Sequence, residues 1–284
     1  MTQRELSPEQ AKQRAKQATR AASGWIEPLG RLGYAAKGIV YAIVGVLAAQ
    51  AAIGAGGETT DTQGALSRIV EAPFGRVLLG LTAVGLLGYA IWRVVQAFLD
   101  TENKGSDAKG YVVRAAYALI GVAYLGLALT AVQIIRGAGG GSSGQTQQSW
   151  IARLLAQPFG QWLVGLIGAV VIGIGLYQLY KALRASFRDK LKLGEMSAAE
   201  QTWATRSGRL GYAARGVVFA IVGALIIAAA RDANASEARG IAGALDTLAA
   251  QPYGPWLLGI VALGLIAYGF FCLVEARYRR MLLT

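Results

Sequence analysis

One five-residue pattern constrains this chain more than anything else in it. Glycine-tyrosine, two small or apolar residues and a cation stand at residues 33–37 (GYAAK), 110–114 (GYVVR) and 211–215 (GYAAR). Each copy opens a long apolar run, and each is followed by a second motif before the next run: APFG at 72–75, QPFG at 157–160 and QPYG at 251–254. A tandem unit that recurs three times implies three copies of one supersecondary structure.

The apolar runs cover about residues 32–53, 75–98, 111–135, 160–183, 211–230 and 254–274. At ~1.5 Å per residue, each is long enough to cross a hydrocarbon core of ~30 Å. No proline interrupts a run; Pro73, Pro158 and Pro252 sit just before the even ones, where a missing N–H costs little. Only 15% of residues are charged and 54% are hydrophobic, against about 25% charged in a soluble domain. The expected fold class is an all-α integral membrane protein. Six transmembrane helices form three tandem helical hairpins with pseudo-threefold symmetry about the membrane normal, because same-facing repeats are related by an axis in that direction.

Charge placement sets the orientation. The loops after the first, third and fifth runs balance their charges: Arg68, Arg76, Arg136, Arg153, Arg231 and Arg239 against an equal number of acids. The net charge of +12 therefore lies wholly on the other side. The positive-inside rule makes that side cytoplasmic and places both termini there, in a bacterial inner membrane. The high charge is thus a topology signal, and no nucleic-acid partner is expected, since no aromatic interleaving accompanies the basic residues.

The expected organisation is a basic, partly helical N-terminal tail (1–28), with Ser7 as N-cap and Pro8 in its first turn. Repeat 1 (29–100), repeat 2 (101–185), a basic linker (186–207), repeat 3 (208–276) and a cytoplasmic tail (277–284) follow. Short helices at the outer interface are expected at 65–70, 150–156 and 241–250, a flexible glycine- and serine-rich linker at 137–149, and a short helix opened by the capping-box spacing at 197–200 (SAAE). Glycine pairs such as Gly38 and Gly45, or Gly216 and Gly223, suit close helix packing.

The GY-x-x-[KR] opening, the [AQ]-P-[FY]-G turn and the three-hairpin layout resemble the bacterial membrane family known as domain of unknown function 1206, over about residues 29–278. The resemblance implies the fold and a membrane location, and brings no established activity. Mitochondrial carriers share the three-hairpin layout, but their odd helices carry a proline and an acid that the odd runs here lack, so that likeness is one of architecture.

Two sets of candidate site residues follow from aligning the motifs. Lys37, Arg114 and Arg215 occupy equivalent motif positions near the cytoplasmic side. They either snorkel to the headgroups or form a ring that contacts an anion or a lipid headgroup. Gln96, Lys181 and Glu275 occupy equivalent positions at the cytoplasmic ends of the even runs, as ordinary helix-end polarity or as a polar cluster. With no histidine and a single cysteine, Cys272, no catalytic set, metal site or cofactor is expected. Glu275 is the one acid near a run, which argues against ion-coupled transport. The expected function is a non-enzymatic structural, accessory or lipid-interacting module, with a passive channel or carrier for a small anionic solute as the alternative. Expected partners are membrane lipids, anionic ones foremost; a membrane-protein partner or a second copy stays open.

Overall fold

The computed structural model of the chain describes residues 8–99, 107–137 and 143–280. They form α1 (Pro8–Ala52), α2 (Thr62–Glu71), α3 (Gly75–Leu99), α4 (Ala108–Ile135), α5 (Ser143–Leu155), α6 (Gly160–Arg184), α7 (Ala198–Arg231), α8 (Ile241–Ala249) and α9 (Gly254–Tyr278). Among the described residues β character is confined to one isolated bridge, Leu191 to Arg279. Six helices, α1, α3, α4, α6, α7 and α9, are long and apolar enough to cross a bilayer. The protein is an all-α, multi-pass membrane protein whose described ends lie on the same side, here called the terminal end.

Three local expectations are corrected. The N-terminal tail is not set off from the first span: α1 runs unbroken for 45 residues through Pro28. The carbonyl that Pro28 leaves without a helical donor belongs to Gly24, which has no side chain to crowd the proline ring. Ser7 lies outside the described residues. The glycine- and serine-rich tract is helical from Ser143 onward, where glutamines favour helix; residues 138–142 are outside the described set. The SAAE box opens no separate short helix. Ser197 Oγ accepts from the Glu200 N–H and the Glu200 carboxylate accepts from the Ser197 N–H, and the helix so started continues to Arg231.

The [AQ]-P-[FY]-G motif is the corner between each short far-end helix and the spanning helix after it. A Cβ on Gly75, Gly160 or Gly254 would lie 2.3, 2.1 or 1.9 Å from the carbonyl oxygen of Val70, Leu154 or Ala249. No real side chain fits there, so glycine lets α3, α6 and α9 start directly against α2, α5 and α8. Phe74 and Phe159 reach the corner through left-handed backbone, at φ 58° and 63°, a conformation costly for a bulky residue. Tyr253 makes the same corner at φ −113°.

The spanning helices pack in the order α4, α3, α1, α9, α7, α6. Within repeats 1 and 3 the hairpins close through the motif glycine. A Cβ on Gly33 would lie 2.5 Å from the Tyr89 nitrogen, and one on Gly211 2.6 Å from the Tyr268 Cα. Between repeats, an even helix packs on the odd helix of the next unit through backbone contact. A Cβ on Gly38 would meet the Gly269 carbonyl oxygen at 2.7 Å (α1 on α9), and one on Gly216 the Gly175 oxygen at 2.9 Å (α7 on α6). Small residues permit this approach in a bilayer, where no hydrophobic drive joins helices.

The second repeat departs from its neighbours twice. First, α4 is registered on α3 by Gly121, whose Cβ would meet the Ala90 oxygen at 3.2 Å. Ala90 corresponds to Gly175 and Gly269, so Gly121 holds the place of Gly38 and Gly216. In this register Tyr117, Ile120 and Tyr124 stand where α1 has Tyr34, Lys37 and Tyr41. The GYVVR pattern lies upstream: from Ala116, which takes the Gly33 place, back to Gly110 is about 9 Å of helix. Arg114 is therefore not the packing counterpart of Lys37. Second, α4 and α6 form no interface comparable to the other hairpins. The ring expected from threefold repetition is open between them.

Candidate functional site

Inside the ring, towards the terminal end, cations from three helices converge on two tyrosine hydroxyls. Lys37 of α1 is 4% exposed. Its Nζ donates to Tyr268 Oη at 2.7 Å and to Tyr89 Oη at 3.3 Å. Arg215 of α7 also donates to Tyr268 Oη, at 2.5 Å. Arg93 of α3 donates to Tyr89 Oη through Nη2 at 2.6 Å and Nε at 2.9 Å, and through Nη1 to Gln96 Oε1 at 3.0 Å. Among the described residues none of these three cations pairs with a carboxylate.

Aromatic faces supply the rest of the environment. Lys37 Nζ lies 5.0 Å from the ring centres of both Tyr89 and Tyr268. The Arg215 guanidinium lies 4.5 Å from Tyr268 and 5.1 Å from Tyr41, and that of Arg93 5.2 Å from Tyr117 of α4. A buried charge is costly in a bilayer unless polar or π partners replace water. The rings also touch one another: Tyr34 on Tyr89 at 5.0 Å, Tyr89 on Tyr124 at 4.5 Å, Tyr41 on Tyr268 at 4.9 Å, all edge to face. Tyrosines thus fill the middle of the bundle. The hydroxyls of Tyr89 and Tyr268 accept from this set of cations. Its surplus positive charge suits an oxyanion.

Some buried polar atoms have no hydrogen-bond partner among the described residues: Arg215 Nε, Tyr34 Oη and Trp92 Nε1, and both amide atoms of Gln178 on α6. Gln178 corresponds by repeat position to Arg93 and Cys272.

The structure separates the candidates aligned by motif. Lys37 and Arg215 meet on Tyr268. Arg114 sits apart, donating to the carbonyls of Ala97 at 2.7 Å and Phe98 at 3.0 Å. There it satisfies the last turn of α3, a usual place for a cation. Gln96 and Glu275 are buried, at 1% and 3% exposure. Gln96 accepts from Arg93, and Glu275, in the last turn of α9, pairs with Arg279 just past the helix end. Lys181 stands 4.3 Å from the ring centre of Tyr212 and within electrostatic reach of Arg93 and Glu275. Sequence reasoning missed Arg93 and the acceptor role of Tyr89 and Tyr268. The signal was there: Arg93 interrupts an apolar run one turn after Tyr89, and Tyr89 and Tyr268 hold the same repeat position.

A separate apolar cavity of about 520 Å³ lies between α1 and α3 below α2, lined by Leu32, Ile39, Ile43, Ile69, Leu78 and Leu81. Several of these side chains are exposed on the outside of the bundle. Arg68 at its far end is ion-paired to Glu58 and Glu71.

Comparison with known proteins agrees with the register seen in the packing. A family model described as Domain of Unknown Function (DUF1206) matches residues 32–100, 115–185 and 210–279. Its second match starts at residue 115, downstream of GYVVR, and so leaves Arg114 outside the matched unit while Lys37 and Arg215 lie inside theirs. The "Uncharacterized protein YxxB" of Bacillus subtilis (strain 168) is 39% identical over 257 residues, which is 90% of this chain and 92% of that protein. No solved structure matches.

Proposed function

The chain belongs to the DUF1206 family, and from that premise we propose that it is a non-enzymatic membrane module that holds lipid and neither conducts a solute nor turns one over. One observation carries this reading. The middle of the bundle, where a conduit would run, is occupied by tyrosines in ring-to-ring contact that bind Lys37 and Arg215. The apolar cavity between α1 and α3 offers a matching seat for an acyl chain on the outside. The test is solute flux through proteoliposomes, with small anions compared against cations. Flux no greater than in empty vesicles is expected. Anion-selective flux that disappears in the Lys37→Ala, Arg215→Ala double variant would overturn the reading.

The alternative, a passive route for a small anion, is favoured by one specific feature: Lys37, Arg93 and Arg215 lie inside the ring and, among the described residues, hydrogen-bond to hydroxyl and amide groups and to no carboxylate. The same flux assay decides between the two.

We further propose that the membrane is the bacterial cytoplasmic membrane, with the terminal end in the cytoplasm. The net charge of +12 is carried outside the balanced far-end loops, and cationic loops are retained in the cytoplasm. A reporter inserted at Gly56, in the α1–α2 loop, is expected to read the outer side; a cytoplasmic signal there would reverse the orientation.

A further inference from the structure

The cation centre opens in one direction. Its walls are α1, α3, α7 and α9, which pack side by side, while α4 and α6 leave the ring unclosed between them. Arg93 and Arg215 are only partly buried, unlike Lys37 behind them. At two of the positions that are charged or hydroxylated in the other repeats, the second repeat, which borders this opening, is apolar. Ile120 replaces Lys37 and Arg215, and Ile174 replaces Tyr89 and Tyr268. The result is a seam with apolar sides and a cationic floor. Charge continues from that floor to the terminal end, since Arg93 reaches along α3 to Gln96 and Lys181 stands at the same end of α6.

That combination matches a molecule with an anionic head and apolar tails. A free inorganic anion would not need the apolar sides, and an uncharged lipid would not need the cations. Arg215 Nε is a donor with no partner among the described residues, within an already cationic group, and hydrogen bonds from charged donors to an oxyanion are among the strongest available. We propose that Lys37, Arg93 and Arg215 bind the phosphate headgroup of an anionic lipid, which enters between α4 and α6 and keeps its acyl chains in that seam. This inference rests on the lipid-holding reading and gives that reading a ligand class, an entry route and named contacts.

The test uses the full chain purified in a mild non-ionic detergent, with retention of added lipid followed by native mass spectrometry. Phosphatidylglycerol, phosphatidylcholine and inorganic phosphate are the three probes. The wild-type protein is expected to hold phosphatidylglycerol about tenfold more tightly than phosphatidylcholine, the equivalent of one charge-assisted hydrogen bond. Arg93→Gln and Arg215→Gln are expected to lose that preference, Arg93→Lys to keep most of it, and Arg114→Gln to keep all of it. Elution as a single species is the check that each variant is folded. Should both Gln variants fail that check, the wild-type preference for phosphatidylglycerol over phosphatidylcholine still decides the headgroup assignment, and a preference lost in Arg114→Gln would overturn this site. A phosphatidylglycerol preference unchanged in Arg93→Gln and Arg215→Gln would overturn this site and leave the lipid-holding reading intact. No preference in the wild-type protein would overturn the headgroup assignment. Inorganic phosphate that displaces phosphatidylglycerol and is retained in its place would identify the ligand as a free oxyanion and overturn the lipid.

Discussion

Repeats 1 and 3 and repeat 2 were built from one unit and have come to do different things. In repeats 1 and 3 the odd helix carries a cation, Lys37 or Arg215, and the even helix carries a tyrosine, Tyr89 or Tyr268. The hairpins are shut by a glycine lying on that tyrosine's backbone. Repeat 2 has Ile120 and Ile174 at those positions, and α4 and α6 stand apart. What it keeps is the contact with its neighbours. Gly121 packs on α3, and Gly168 and Gly175 pack on α7. Contact between units and closure within a unit are therefore separable. The first depends on small residues at the helix crossing, the second on the glycine–tyrosine pair. Losing that pair opens the bundle without dissolving it.

The comparison breaks most visibly at Tyr268. Its hydroxyl accepts from both Lys37 and Arg215, so Tyr268→Phe leaves one buried and one partly buried cation short of an acceptor at once. We expect a loss of about 2–3 kcal/mol in unfolding free energy, the scale for stripping a buried charged donor of its partner. Reversible unfolding in mixed detergent micelles would measure it. The matching change in repeat 2, Ile174→Tyr, adds a hydroxyl at a position that is 44% exposed and is expected to alter stability little. Equal losses in the two variants would mean that the tyrosine position, and not its cations, sets stability.

How far the sequence could be read follows from the same contrast. The helices were legible because apolar runs long enough to span a bilayer admit few other structures. The capping box at Ser197 and the glycine corners were legible because each rests on contacts within a few residues. The site was legible in part. Lys37 and Arg215 stand out as cations within apolar runs, but whether they turn to lipid or to the interior depends on Tyr89 and Tyr268, tens of residues away. Arg114 misled because a five-residue motif outranked a longer signal. Tyr34 and Tyr41, Tyr117 and Tyr124, and Tyr212 and Phe219 share one spacing, and that spacing follows the packed face. Alignment on the aromatic pair sets Ile120 against Lys37 and leaves Arg114 outside. Arg93 was lost for the opposite reason: its counterparts, Gln178 and Cys272, share no charge with it, so repetition could not flag it.

The smallest effect tests that register most directly. If Arg114 were a fourth member of the cation centre, neutralising it would relieve or disturb the same hydroxyl network as neutralising Arg215. In the structure it donates to the Ala97 and Phe98 carbonyls at the end of α3 and stands over the Tyr111 ring of its own helix. A cation there is worth less than about 1 kcal/mol at a partly exposed helix end, because water can replace it. Arg114→Gln is therefore expected to cost no more than that in the same unfolding assay, with the loss shrinking as salt is added. A cost as large as that of Tyr268→Phe would put Arg114 back among the buried cations and place the register of α4 in error. A small, salt-sensitive cost fits a chain in which the second copy of the motif has been carried out to the helix end, where its arginine caps its neighbour.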